Sequence, residues 1–228
     1  MTGMLRVFVA ASLVLASTSM ALARGKTGVV EKKKIGDVKV EVFTDTVYGY
    51  TLTTPPNWDF KVQKEKSNDE YNPFRLRIQN KDKQIPTQLW DSPSAVVNAH
   101  IHLFVFDLDA TPEAIRDSLA SPTAGGDWQD PVAKNCELLR GSTFLTKADI
   151  RWDKWRGAAF SVEQTYTAQI PTGGGLFGSV AEKRLAEFYV FPFRQHKMVL
   201  YMVTEREFLA ENRKVVQELL QQIDPEKS

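Results

Sequence analysis

The sequence predicts an α+β fold in which a mostly antiparallel β-sheet carries helices on its faces and an amphipathic helix ends the chain. The first observation is a series of short segments with alternating apolar residues, joined by turn residues rather than by helical crossovers. The second is the segment 198–203, which is apolar at every position, as in a central strand covered on both faces. The third is a helix-start signature, Thr204 with Glu207, ahead of residues that are apolar at three- and four-residue spacing.

The composition is that of a globular protein. Of the 228 residues, 43% are hydrophobic and 25% are charged, which excludes a disordered or fibrous chain. The one cysteine, Cys136, excludes an intrachain disulfide framework and a cysteine-rich metal site. We expect no transmembrane segment in the mature chain, because no apolar stretch approaches the ~20 residues that a membrane-spanning helix needs.

The first 23 residues predict a secretory signal peptide. Arg6 supplies the positive charge, and the segment 7–16 supplies the apolar core. Ala21-Leu22-Ala23 provides the small-x-small cleavage site. The mature chain would begin at Arg24 in the periplasm or outside the cell, with a flexible arm over 24–35 and a single domain over 36–228. Removal of Arg6 leaves 28 of the 29 basic side chains against 28 acidic ones, so no charge excess predicts a nucleic-acid partner.

The first half of the chain predicts short strands and one helix. Five strands are expected there, at 38–43, 48–53, 60–62, 74–78 and 96–106. Pro55 and Pro56 stop the second strand, since proline fixes φ and lacks a backbone donor. Thr111 as N-cap and Pro112 as the first helical residue predict a helix over 113–119.

The second half predicts further antiparallel strands before the last helix. Two strands are expected within 144–168, joined around 153–157, and two more at 184–191 and 198–203, joined by the turn 192–197. The glycine-rich segment 171–178 predicts a flexible hairpin loop.

A capping box marks the start of the last helix. Thr204 and Glu207 form the box, and Val203 and Phe208 form a hydrophobic staple. The Asp-Pro pair at 224–225 predicts the end of the helix. The apolar stripe that would face the sheet consists of Phe208, Leu209, Val215, Val216, Leu219, Leu220 and Ile223.

This order of elements resembles the PsbP-like α/β/α sandwich family. The resemblance rests on the strand Tyr48-Gly49-Tyr50-Thr51-Leu52 running into Pro-x-x-Trp, at Pro55 to Trp58, followed by strands, a short helix, more strands and a last amphipathic helix. It covers most of 47–223. It implies an α/β/α sandwich and a binding or assembly role, with no catalytic residues to carry over.

A second resemblance suggests an alternative function. The segment 104–111, an apolar strand ending in Asp107-x-Asp109-x-Thr111, is similar to the first motif of haloacid-dehalogenase-like phosphatases. Asp107 would accept the phosphoryl group and Asp109 would act as general acid beside Mg²⁺. Ala110 stands where that motif has glycine, and the following strands look antiparallel rather than parallel.

The three histidines raise the further alternative of a zinc-binding module. His100 and His102 lie on one face of a predicted strand, about 6–7 Å apart by strand rise. Two such imidazoles suit zinc if a third ligand joins them, for which His196 is the remaining histidine. The other interpretation is a pair of partly buried, hydrogen-bonded side chains.

Apolar side chains near turns are the remaining candidates for ligand or partner binding. Trp152, Trp155 and Trp128 could form a stacking platform, although aromatic residues in strands usually pack in the core. Leu176 and Phe177 in the glycine-rich segment would either fold back on the sheet or contact a partner.

The residues therefore favour an exported binding, assembly or accessory protein of the cell envelope over an enzyme. We expect no cofactor, and we expect an envelope protein or a small ligand as the partner. Loops at the ends of the sheet would do the binding.

Overall fold

The computed structural model describes residues 23–24, 28–62, 73–82, 99–120, 132, 143–173 and 176–226. For 23–24, 164–173 and 176–182 it describes the backbone only. The predicted signal peptide, apart from Ala23, and Trp128 lie outside these residues.

Seven of the described strands form one sheet. These strands are β5 Trp58–Lys61, β6 Phe74–Asn80, β7 His100–Phe106, β8 Thr143–Trp152, β9 Trp155–Gly173, β10 Leu176–Phe193 and β11 His196–Thr204. Their order in the sheet is β5-β6-β7-β11-β10-β9-β8, and each neighbouring pair is antiparallel. The predicted antiparallel α+β fold is confirmed, and β11, apolar from Met198 to Val203, lies at the centre.

Four further strands form a second sheet in the order β1-β2-β3-β4. They are β1 Ala23–Arg24, β2 Gly28–Ile35, β3 Val38–Asp45 and β4 Thr51–Thr53. The segment 24–35, predicted to be a flexible arm, instead contains β2, which pairs with β3 along its whole length. The lysines at 32–34 hide the strand pattern in the sequence, because they lie on the exposed half of β2 while Val30 packs in the core.

The central strands are covered by different elements on their two faces. Helix α1, Pro112–Leu119, packs on one face through Ile115 and Leu119. Helix α2, Leu209–Gln221, packs on the other face together with Phe43 and Leu52 of the smaller sheet. Alternate residues of β7 belong to the two cores, as strand geometry requires.

The two helices differ in how well their starts were predicted. The N-cap of α1 is confirmed, since the hydroxyl of Thr111 accepts a hydrogen bond from the amide of Ala114 at 3.1 Å. The capping box at α2 is wrong: a 3₁₀-helix, Arg206–Phe208, precedes α2. The buried hydroxyl of Thr204 donates to the carbonyl of Glu205 at 3.1 Å and accepts from the Asn212 amide at 2.6 Å. Burial of Thr204 at the end of β11 therefore replaces the capping role.

A buried carboxylate fixes α2 to the sheet. Glu187 of β10 accepts from Arg213 of α2, at 2.5 Å from Nη2 to Oε1 and 3.1 Å from Nε to Oε2. It also accepts from the Tyr189 hydroxyl. Burial and the Glu187 charge raise the pKa of Tyr189, so this phenol stays a donor.

The segment 171–178, predicted to be a loop, is mostly paired strand. Phe177 pairs with Pro171 and Leu176 with Gly173, with an irregularity between 176 and 177. Long strand pairing of β9 with β10 therefore overrides the local glycine signal.

We predict that Gly157→Ala destabilises the protein by about 3 kcal/mol, because an added Cβ would overlap the backbone carbonyl of Val190 and lie 2.7 Å from Cδ1 of Phe191. Urea unfolding measures this. The control is Gly36→Ala, where a Cβ meets nothing within 4 Å but φ is +60°, so only about 1 kcal/mol of backbone strain is expected. Equal losses in the two variants would contradict the packing explanation.

A buried ion pair joins the two sheets. Asp45 at the end of β3 binds Arg75 of β6 in a bidentate geometry, at 2.7 Å to Nε and 2.9 Å to Nη2. The same carboxylate accepts from the amides of Val47 and Tyr48, both at 2.8 Å. Asp45 therefore ties the β3–β4 turn to the larger sheet.

We predict that Asp45→Asn costs about 3–5 kcal/mol of unfolding free energy, because it leaves the buried Arg75 charge uncompensated. The control Asp59→Asn removes a more exposed pair with Lys81 and should cost less than about 1 kcal/mol. Chemical denaturation of both variants tests this, and a cost below 1 kcal/mol for Asp45→Asn would show that the pair does not hold the sheets together.

Candidate functional site

Two hairpin turns and the segment after α2 surround a cavity of about 500 Å³ at one end of the larger sheet. Residues 153–154 join β8 to β9, and residues 194–195 join β10 to β11. In the described part of the chain the cavity is lined by Lys154, Trp155, Arg156, Pro192, Arg194, Pro225 and Glu226. The described lining therefore contains three cationic side chains and one carboxylate.

Arg194 is the most constrained of the three cations. Its φ is 55°, a conformation that residues other than glycine seldom adopt. Its amide donates to the carbonyl of Pro225 at 2.8 Å, its Nη1 donates to the carbonyl of Tyr48, and its guanidinium lies 4.8 Å from the ring centre of Phe193. Its buried Nε has no hydrogen-bond partner among the described residues.

Arg156 and Lys154 add charge that the protein balances only in part. Arg156 is exposed and lies directly opposite Arg151 in the β8–β9 pairing, where like charges are destabilising. Lys154 lies 4.0 Å from Asp224, at the limit of an ion pair. A ligand with negative charge would relieve this repulsion.

The structure brings two of the predicted tryptophans to this end of the sheet. Trp152 and Trp155 are cross-strand partners beside the β8–β9 turn. Trp155 is only 1% exposed, and its indole nitrogen donates to the carbonyl of Leu220 at 2.8 Å. Trp152 packs on Tyr189, with ring centres 5.0 Å apart. The two indoles thus pack beneath α2, and Trp155 also forms one wall of the cavity.

The other predicted partner-binding residues remain predictions. The backbone of Leu176 and Phe177 lies at the end of the β9–β10 hairpin, and Trp128 lies outside the described residues. The charged cavity residues were missed, because the sequence marks 192–197 and 153–157 only as turns. One sequence signal could have identified Arg194. This residue occupies a two-residue hairpin turn, where glycine or asparagine is favoured, so an arginine at this position is unusual.

The fold around Asp107 and Asp109 is not the fold that the phosphatase hypothesis requires. Asp107 and Asp109 follow β7 and are exposed, and Asp107 lies 3.7 Å from Nδ1 of His196. The phosphatase motif belongs to alternating parallel strands and helices, whereas every described pairing is antiparallel.

The three histidines do not come together. His100 and His102 are neighbours, with ring centres 5.0 Å apart. His196 begins β11, whose next residue pairs with Phe106 at the opposite end of β7 from His100. Among the described residues, no group of three or more His, Cys, Asp or Glu side chains is arranged to hold a metal ion.

His102 is held neutral by its surroundings. Burial, then His100 and Arg77, lower its pKa to about 3. The rings of Phe74 and Tyr201 lie on either side of it, at 5.6 and 5.9 Å.

We predict that His102 makes the protein less stable in acid. The unfolded chain binds a proton at this side chain near pH 6.5 and the folded chain only near pH 3, so protonation favours unfolding as the pH falls between these values. The loss approaches about 1.4 kcal/mol per pH unit from this group.

Urea unfolding of wild type and His102→Phe from pH 8 to pH 4 measures this effect. The difference in unfolding free energy between the two proteins should be constant above pH 7. Below about pH 6.5 the wild type should lose more unfolding free energy than His102→Phe. Parallel curves over the whole range would contradict the buried neutral imidazole.

Comparison with known proteins gives structural similarities only. No protein-family model and no curated protein matches the chain. The chain is similar to the solution structure of cyanobacterial PsbP (CyanoP) from Synechocystis sp. PCC 6803, with 14% identity, 83% of this chain and 96% of that chain covered, and a TM-score of 0.40. It is also similar to LpqN, described as involved in cell envelope biogenesis of Mycobacterium tuberculosis, with 13% identity, 75% of this chain and 79% of that chain covered, and a TM-score of 0.35. PsbP is the family that the sequence resembles, and at these scores we base no functional argument on either similarity.

None of the described helices has both the length and the apolar character needed to cross a membrane.

Proposed function

We propose that this chain is an exported, non-catalytic binding or accessory protein of the cell envelope, and that the cavity at the hairpin turns binds an anionic ligand. The observation that carries the proposal is that Lys154, Arg156 and Arg194 line one cavity, in which Glu226 is the single carboxylate among the described lining residues. We also propose that α1, the larger sheet and α2 make up the α/β/α sandwich that the sequence resembles.

The cavity suits a ligand with an anionic group and an apolar part. Guanidinium groups bind carboxylate, sulfonate or phosphate oxygens through paired N–H donors. Pro192, Pro225 and Trp155 are the apolar residues in the lining next to these donors. Because Arg194 is anchored through its backbone and one Nη, little side-chain freedom would be lost on binding.

Export is supported by the predicted leader alone. Arg6, the apolar segment and Ala21-Leu22-Ala23 are the features that a signal peptidase recognises. Mass spectrometry of the chain expressed with its leader tests export, and a chain that begins at Arg24 in the envelope or medium fraction is expected. An uncleaved chain retained in the cytoplasm would overturn export while leaving the cavity proposal intact.

We predict that the cavity distinguishes two dyes that differ only in a sulfonate. The anionic 8-anilinonaphthalene-1-sulfonate should bind the folded mature chain, and Arg156→Gln or Arg194→Gln should each weaken binding about tenfold, or about 1.4 kcal/mol, by removing a charged donor. Fluorescence titration measures the affinities.

Two controls define the contribution of charge. The uncharged analogue N-phenyl-1-naphthylamine should bind all variants with the same affinity. Lys183→Gln, which removes a cation that pairs with Glu163 away from the cavity, should leave the sulfonate affinity unchanged. Equal sulfonate affinity in wild type and Arg156→Gln would contradict an anion site in this cavity.

A further inference from the structure

A row of basic groups crosses the larger sheet away from the cavity. Lys61 of β5 pairs with Arg77 of β6, and Arg77 pairs with His102 of β7. Their neighbours Phe60 and Ile78 belong to the core beneath α2, so the basic groups lie on the opposite face of the sheet. Three neighbouring strands thus place a basic group at the same level of one face.

Two of the three groups, Lys61 and Arg77, are like charges on directly opposite residues of neighbouring strands. Like charges directly opposite each other across strands are destabilising. Lys61 lies 3.6 Å from Asp59, which pairs more closely, at 2.8 Å, with Lys81. Arg77 has no ion pair with any residue that the structure describes.

Two nitrogen atoms in the row are buried without hydrogen bonds. Nε of Arg77 and Nε2 of His102 are both inaccessible to solvent and have no partner in the described part of the chain. Buried polar atoms nearly always have a partner, so an unpaired set at one place indicates a missing group.

The chemistry of the row favours an anion over a metal ion. A divalent cation at His100 and His102 would lie beside the guanidinium of Arg77, which repels it. Arg77 supplies N–H donors, and a neutral imidazole donates through one ring nitrogen, so the proposed site requires the His102 proton on Nε2. Gln79 lies opposite His100 in the next pair on the same face of the sheet and adds an amide.

We propose that Arg77, His102 and His100 form a second binding site, one for a small oxyanion of the carboxylate or phosphate class. One anion oxygen would accept from Arg77 and another from His102. His100 and Arg77 are half-buried, so an anion would reach the site from solvent past these two side chains. Phe74 and Tyr201 form the walls around His102. This site is independent of the cavity at the hairpin turns.

The test is a titration of the mature chain with inorganic phosphate and, separately, acetate, followed by the ¹⁵N signals of the histidine rings. The groups that face His102 are Arg77, Lys61 and Asp59 across the sheet, and His100, Gln79 and Tyr201 beside it. Since these leave a net positive environment, a bound anion should shift the His102 ring signals saturably and raise its pKa above about 3. The two titrations show which anion class is preferred.

Variants separate this site from the cavity. Arg77→Gln should weaken anion binding at least tenfold, and Arg77→Lys, which keeps the charge but loses the paired donors, should give an intermediate loss. Arg156→Gln changes the cavity and should leave the His102 shift unchanged.

The proposal is overturned if the His102 signals do not respond to either anion, or if Arg77→Gln binds as wild type does. It is also overturned if added Zn²⁺ binds stoichiometrically to His100 and His102. Folding of each variant is checked by the same spectra, and the wild-type titration decides the matter even if a variant does not fold.

Discussion

Two hydrogen bonds hold the end of α2 and the segment after it against the two hairpins, and the geometry of the cavity depends on them. The buried indole of Trp155 donates to Leu220 near the end of α2, and the amide of Arg194 donates to Pro225. The Leu220 carbonyl lies in the last turn of α2 and also accepts from the amide of Ile223 at 3.1 Å, whereas Pro225 lies beyond the helix. The two bonds fix the end of α2 and the segment after it to the hairpins, and Pro225 and Glu226 of this segment line the cavity.

This arrangement explains why unfavourable features collect at one end of the sheet. Asp153 and Arg194 both have positive φ, at 50° and 55°, and Arg151 faces Arg156 across two strands. Backbone strain and opposed like charges each oppose folding, and they persist only where the surrounding structure holds them. Such features are often found at binding sites, which is consistent with an anion acting as the balancing group.

The parts of the fold that depend on local signals were predicted from the sequence. Thr111 and Pro112 define the start of α1, and the apolar run 198–203 identifies the central strand, because capping and burial leave direct marks on the sequence. The strand β2 was missed because the lysines at 32–34 suggest a solvated arm, while the pairing that orders them comes from β3. Thr204 was misassigned because its burial against Asn212 is a tertiary contact. The cavity was missed for the same reason, since its cations come from two hairpins, β8–β9 and β10–β11, about 40 residues apart, which only the antiparallel pairing brings together.

Amide and indole hydrogen exchange, measured by NMR on the mature chain, tests the central claim that this segment fixes the turns. We expect the amide of Arg194 and the indole N–H of Trp155 to exchange as slowly as the amide of Val199 in the central strand, because all three would then open only with the whole domain. Fast exchange of the Arg194 amide and the Trp155 indole, with Val199 still protected, would show that the segment leaves the turns in the folded protein and would contradict a preformed cavity.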